Sequence, residues 1–161
     1  MSIAGGPFRQ PMLAAASAAL AVAMLGALMT DLGPWYLSLK MPAWKPPDAL
    51  FGPAWTLIFA AAALAGAKGW QALSQRRARL ALRGYFALNA ALNVLWSALF
   101  FRLQHPAWAM LEVGLLWLSI MVLMITLWRG SRAATLLLVP YLVWVSYAAL
   151  LNLAVVRLNP Q

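Results

Sequence analysis

The sequence predicts an all-α integral membrane protein, one domain over residues 1–161 folded as a bundle of five transmembrane helices, and three observations carry that prediction. The first is composition: 65% of the 161 residues are hydrophobic and 9% are charged, with a mean hydropathy of +0.79, against roughly 25% charged in a soluble domain. A soluble fold of this length buries only about 70% of the surface its unfolded chain exposes, so water would meet large apolar patches. The second is grouping, because the apolar residues fall in five runs that approach the roughly 20 needed to cross hydrocarbon. The third is persistence: the runs stay apolar throughout, whereas barrel strands alternate over about ten residues.

The first span covers about 12–29. Arg9 precedes it as in a signal peptide, but a signal core is about 7–15 residues long and this run is longer, so it is expected to remain as a span. Residues 30–52 break the pattern. Prolines 34, 42, 46 and 47 stand among Trp35, Tyr36, Trp44, Lys40 and Lys45; that density forbids one continuous helix, and the rings favour the headgroup level, so a structured external loop is expected. The second span, about 53–73, places Pro53 in a first turn, where a missing N–H costs little. The third covers about 80–101 and the fourth 107–128. The fifth covers 133–156 and contains Pro140, which is expected to bend it or free a carbonyl. Short connections make consecutive spans antiparallel neighbours. No internal repeat is evident, and an odd number of spans argues against an inverted-repeat transporter.

The net charge of +9 arises from 12 Lys and Arg against Asp31, Asp48 and Glu112. The basic residues lie mostly between apolar runs, where they anchor helix ends at headgroups, so the lipid bilayer is the expected partner and nucleic acid is not. Arg9, Lys68, Arg76, Arg77, Arg79, Arg83, Arg129 and Arg132 fall on one face, and Lys40, Lys45, Arg102 and Arg157 on the other. The positive-inside rule then puts the N-terminus in the cytoplasm, with the first loop and C-terminus on the opposite side; inner and outer membranes both stay open. Cysteine is absent and His105 is the lone histidine, so no metal site and no thiol nucleophile are expected.

Helical spacing gathers the remaining chemistry. Asn89, Asn93 and Ser97 recur every four residues with Trp96 beside them, and amides facing lipid are costly, so this stripe should face inward, either to bond other helices or to meet a ligand. Tyr141, Trp144 and Ala148 share a face of the fifth span. A small residue among large rings leaves a slot for a planar molecule; the alternative is that the rings only fill a core. Lys40 and Lys45 fit either ligand carboxylates or ordinary headgroup anchoring. Glu112 is the one acid expected within the bilayer, and its proximity to a helix N-terminus favours a structural role. Ala62 and Gly66, like Ala87 and Ala91, have the spacing of close helix packing.

Four ordered blocks resemble one family, the tryptophan-rich sensory proteins and translocator proteins, whose eukaryotic members are also called peripheral benzodiazepine receptors. They are Trp35-Tyr36 with Leu39, Pro42, Trp44 and Pro46-Pro47; Gly52 to Thr56; Asn89, Asn93, Trp96, Ser97 and Phe100-Phe101; and Val139 to Trp144 with Asn152. Many members have Gln at Asn89 and Pro at Ala98. The resemblance implies a five-helix bundle, often a homodimer, with a pocket beneath the first loop for porphyrins and other flat hydrophobic ligands. Tyr36, Trp44, Trp55, Asn93, Trp96, Ser97, Tyr141, Trp144 and Ala148 are the ligand-binding residues it implies, with a tetrapyrrole as ligand and no resident cofactor. A receptor or sensor role is expected before catalysis. The alternatives are tetrapyrrole transport and light-dependent porphyrin degradation, in which Trp55 and Trp144 would serve the photochemistry. Residues Leu151 to Gln161 lack a Tyr followed by a basic residue, so sterol binding is not implied.

Overall fold

The computed structural model describes residues 8–160, and the regular structure among them is entirely helical. The helices are α1 (Arg9–Met29), α2 (Pro34–Ser38), α3 (Phe51–Ala72), α4 (Arg76–Ser97), α5 (Pro106–Trp128), α6 (Arg132–Leu137) and α7 (Val139–Leu158). A 3-10 turn, Asp48–Leu50, leads into α3, and a π-helical turn, Ala98–Arg102, extends α4. Five helices are long and apolar enough to cross a membrane: α1, α3 with its leading turn, α4 with its π extension, α5, and α6 with α7. The protein is an integral membrane bundle of five helices.

The observed ends overshoot the apolar runs. The third helix starts at Arg76, ahead of residue 80, and the fifth runs from Arg132 to Leu158, because Arg side chains are good helix formers that end a lipid-facing stretch without ending a helix. Pro34 and Pro106 open their helices, where no backbone donor is lost. Pro140 acts as expected. The fifth span breaks at Leu138, whose N–H bonds the Thr135 carbonyl at 3.0 Å in a tighter turn before α7 begins. The first loop holds α2, and only its proline-rich remainder lacks regular helix. Between the π turn and α5, Gln104 takes φ 56°, and the His105 N–H reaches the Leu99 carbonyl at 2.9 Å.

The core centres on α5. Its buried residues Val113, Leu116, Ile120, Leu123 and Leu127 recur at three and four, forming one apolar stripe. Leu116 and Ile120 pack with Ile58, Tyr141 and Val145 at mid-height, while Leu123 and Leu127 join Leu82, Ala65 and Leu138 toward the end carrying the arginine-rich turns. Gly69 sits so close to Leu127 that a Cβ there would collide with it. At the loop end Tyr36, Phe100, Ala109 and Val155 form a third cluster. Outward, Leu28, Leu57, Leu111, Ile125 and Val143 remain exposed, as a lipid-facing surface requires. α1 packs on α3 yet buries no residue.

Polar side chains tie the helices inside. Asn89 Nδ2 donates to Ser119 Oγ at 2.8 Å, Tyr141 OH donates to Asn89 Oδ1 at 3.2 Å, and Asn93 Nδ2 donates to Tyr141 OH at 3.2 Å. These bonds join α4, α5 and α7, so Asn89 links one helix to two others. Asn152 Nδ2 donates to the Pro106 carbonyl at 2.9 Å and its Oδ1 accepts from Trp96 Nε1 at 3.2 Å. Ala62 and Gly66 pack inward: a Cβ on Gly66 would lie 3.6 Å from Phe86 and 3.9 Å from Ala15, so this small-residue pair admits α1 and α4.

Candidate functional site

A chamber of about 470 Å³ lies beneath the first loop, within the size range of small-molecule sites. Helical spacing delivers its walls. α3 contributes Trp55 and Phe59 one turn apart, α4 contributes Asn93, Trp96 and Ser97, and α7 contributes Trp144 and Ala148. Tyr36 supplies part of the roof from α2. Small residues of α1, Ala23, Gly26 and Ala27, close the remaining side.

The rings are fixed by their neighbours. Trp55 stacks on Phe59 with centroids 5.2 Å apart and meets Tyr141 edge-on at 6.0 Å, Trp144 meets Phe51 edge-on at 5.6 Å, and Trp96 stacks on Phe100 at 5.4 Å. Such pairs add about 0.5–1.5 kcal/mol each beyond area burial. The bond from Trp96 Nε1 to Asn152 also sets which way that indole faces. The π turn matters here: widening the helix after Ser97 buries Phe100 and brings Phe101 to the chamber wall.

The roof is held electrostatically. Tyr36 OH donates to Asp48 Oδ1 at 2.7 Å, and Lys45 Nζ reaches the same oxygen at 2.6 Å while lying 5.6 Å from the Tyr36 ring centroid. Burial, then the Asp48 carboxylate, pushes the Tyr36 phenol above its ordinary range. Lys40 is occupied differently. Its N–H donates to Asn159 Oδ1 at 2.9 Å and its carbonyl accepts from Asn159 Nδ2 at 3.0 Å, which pins the loop to the end of α7.

Seven of the nine residues expected in the site converge on this one chamber: Tyr36, Trp55, Asn93, Trp96, Ser97, Trp144 and Ala148. Trp44 does not reach it. It is 50% exposed, edge-on to Tyr147 at 5.6 Å, and its carbonyl accepts from Tyr147 OH at 3.2 Å, so it fastens the loop to α7 from outside. Tyr141 lies behind the chamber, buried, where its hydroxyl is used by Asn89 and Asn93. Glu112 is the seventh residue of α5, past the turn where a helix dipole acts, so that explanation of it fails. It is 5% exposed and neither carboxyl oxygen has a hydrogen-bond partner. Sequence reasoning missed Phe59, Phe101, Asp48 and the α1 residues. Phe59 was one turn from Trp55, and Ala23, Gly26 and Ala27 form a small-residue stripe; Phe101 depends on the π turn, which leaves no periodic signal.

Five apolar spans, four of which line an aromatic chamber under the proline-rich loop, define a polytopic membrane protein with an internal cavity of small-molecule size. The family model described as TspO/MBR family matches residues 14–158. The chain belongs to that family. It is 41% identical over 147 residues to the tryptophan-rich protein TspO of Chlorobaculum tepidum, covering 88% of this chain and 90% of that one. It is 39% identical over 129 residues to protein CrtK of Rhodobacter capsulatus, 80% of each, and 30% identical over 127 residues to the translocator protein of Homo sapiens, covering 78% and 75%.

Proposed function

We propose that the chain is a membrane receptor that binds porphyrins and other flat hydrophobic ligands in the chamber under the first loop. The carrying observation is the convergence of Trp55, Trp96 and Trp144, from three different spans, on one hollow that also contains the small Ala148. Flat rings gain most from faces of this kind, and Ser97 and Asn93 add a few polar atoms to orient a guest. A porphyrin carboxylate would compete with Asp48 for Lys45, the cation nearest the roof.

The positive-inside rule supports a cytoplasmic arginine-rich end and an outward loop. A homodimer is supported by Ala87 and Ala91 of α4, which stay exposed at the spacing that lets two helices pack closely. Light scattering in several detergents tests it, and a monomer in all of them removes it.

Titration with protoporphyrin in detergent or nanodiscs tests the receptor reading. Saturable quenching of tryptophan fluorescence is expected, weakened about tenfold or more in Trp55→Ala or Trp144→Ala. Quenching that never saturates, or that both variants retain in full, rejects it.

A further inference from the structure

A second cavity, of about 540 Å³, occupies the other half of the bundle between α1, α3 and α4. It is lined from Gln10 to Val22 on α1, from Phe59 to Trp70 on α3 and from Leu82 to Asn93 on α4. At 1.5 Å of rise per residue each stretch is roughly 16–18 Å long. That is the depth of one leaflet, half of a hydrocarbon core about 30 Å thick.

Chemistry grades along this depth. At the mouth the Arg83 guanidinium lies 4.1 Å from the Trp70 ring centroid, with Arg79 at 5.1 Å from the same ring. Arg79 is spent on the Leu73 carbonyl, to which its Nε donates at 2.6 Å, which leaves Arg83 as the cation at the opening. The chain's acids are Asp31, Asp48 and Glu112. None lines the cavity, so an incoming anion meets no competitor. Below the mouth, Ala14, Ala15 and Ala18 of α1 face a space shared with Phe59 and Phe86. The floor is Asn89, Asn93 and Tyr141, whose hydrogen bonds are made to one another and to Ser119.

We propose that this cavity is a second binding site, for an anionic phospholipid, with its phosphate at Arg83 and one acyl chain running down the alanine face of α1 to the bilayer midplane. A flexible chain matches a slot one leaflet deep with charge only at the headgroup level. The two cavities meet at Phe59 and Asn93, which line both, but the charged mouth at Arg83 lies at the opposite end of the bundle from the chamber under the loop.

Native mass spectrometry of the full-length protein, titrated with phosphatidylglycerol, phosphatidylcholine and diacylglycerol of equal chain length, tests the proposal. One phosphatidylglycerol per chain is expected to bind about tenfold more tightly than either other lipid. Arg83→Gln should reduce it to the phosphatidylcholine level, and Ala18→Phe should abolish saturable binding by filling the slot. Gly66→Ala guards against misfolding of the larger variant: its added methyl reaches only ordinary contact with Phe86 and Ala15, and a threefold or greater loss is expected. Equal binding of phosphatidylglycerol and phosphatidylcholine, or unchanged phosphatidylglycerol binding in Arg83→Gln or in Gly66→Ala, overturns it.

Discussion

Tyr36 and Asp48, twelve residues apart and on opposite sides of the proline-rich loop, meet through a 2.7 Å hydrogen bond at the rim of the chamber. The bond closes the loop onto the start of the second span. Tyr36→Phe removes the donor while keeping the ring, so a fall in stability of about 1 kcal/mol and faster ligand release are expected. Thermal unfolding and stopped-flow fluorescence measure the two effects.

The same pair gives the loop a pH dependence. The folded protein favours the protonated phenol, because burial and the Asp48 carboxylate both oppose the phenolate. The stability this contributes is therefore complete below the ordinary value of 10.0 and is lost as pH rises beyond it. Wild type should lose more thermal stability than Tyr36→Phe from about pH 10 upward. Parallel pH profiles for the two proteins exclude the effect.

Tyr141→Phe should destabilise the bundle by roughly 1–3 kcal/mol, since it strips Asn89 Oδ1 of a donor and Asn93 Nδ2 of an acceptor in a buried place. Ring packing is preserved, so any loss in melting temperature belongs to the hydroxyl.

Glu112 predicts the opposite sign. Its buried carboxyl lacks a hydrogen-bond partner, so Glu112→Leu should stabilise the protein, by roughly 1–3 kcal/mol. A lower melting temperature in Glu112→Leu would overturn this expectation.

Two glycines separate packing from propensity. Gly69→Ala should cost about 1–3 kcal/mol, because its Cβ runs into Leu127 and comes within 3.3 Å of Leu82. Gly114→Ala, with nothing within 4 Å, should be neutral or stabilise α5 by up to about 1 kcal/mol. Comparing the two melting temperatures checks both.

Most of the fold was legible because lipid imposes one strong rule, that a spanning segment satisfies its backbone internally and faces outward with apolar side chains. That rule locates runs such as 107–128. It does not locate helix ends, which is why Arg76 to Arg79 lie inside α4 although their charge ends the apolar stretch. Chamber residues such as Trp55 and Trp144 came from family-like blocks, and spacing put Trp144 and Ala148 on one face. Spacing alone did not reveal that Tyr141 would turn toward Asn89, since one helical face spans both the chamber and the core behind it. Phe101 depended on a change of helical pitch after Ser97 that has no signature in the order of residues. Trp44 was misleading because a ring beside a pocket and a ring that fastens a loop have the same composition.

The paired hydrogen bonds between Lys40 and Asn159 staple the loop to the far end of the chain, and Tyr147 grips it again at Trp44. Lifting the cover from the aqueous side means undoing three such links at once. α1 has no fully enclosed side chain, yet its seam with α3 is the most extensive between any two helices here. Both borders of the hollow are therefore fastened, the cover by a few discrete polar links and the first helix by many weak apolar ones spread along its length.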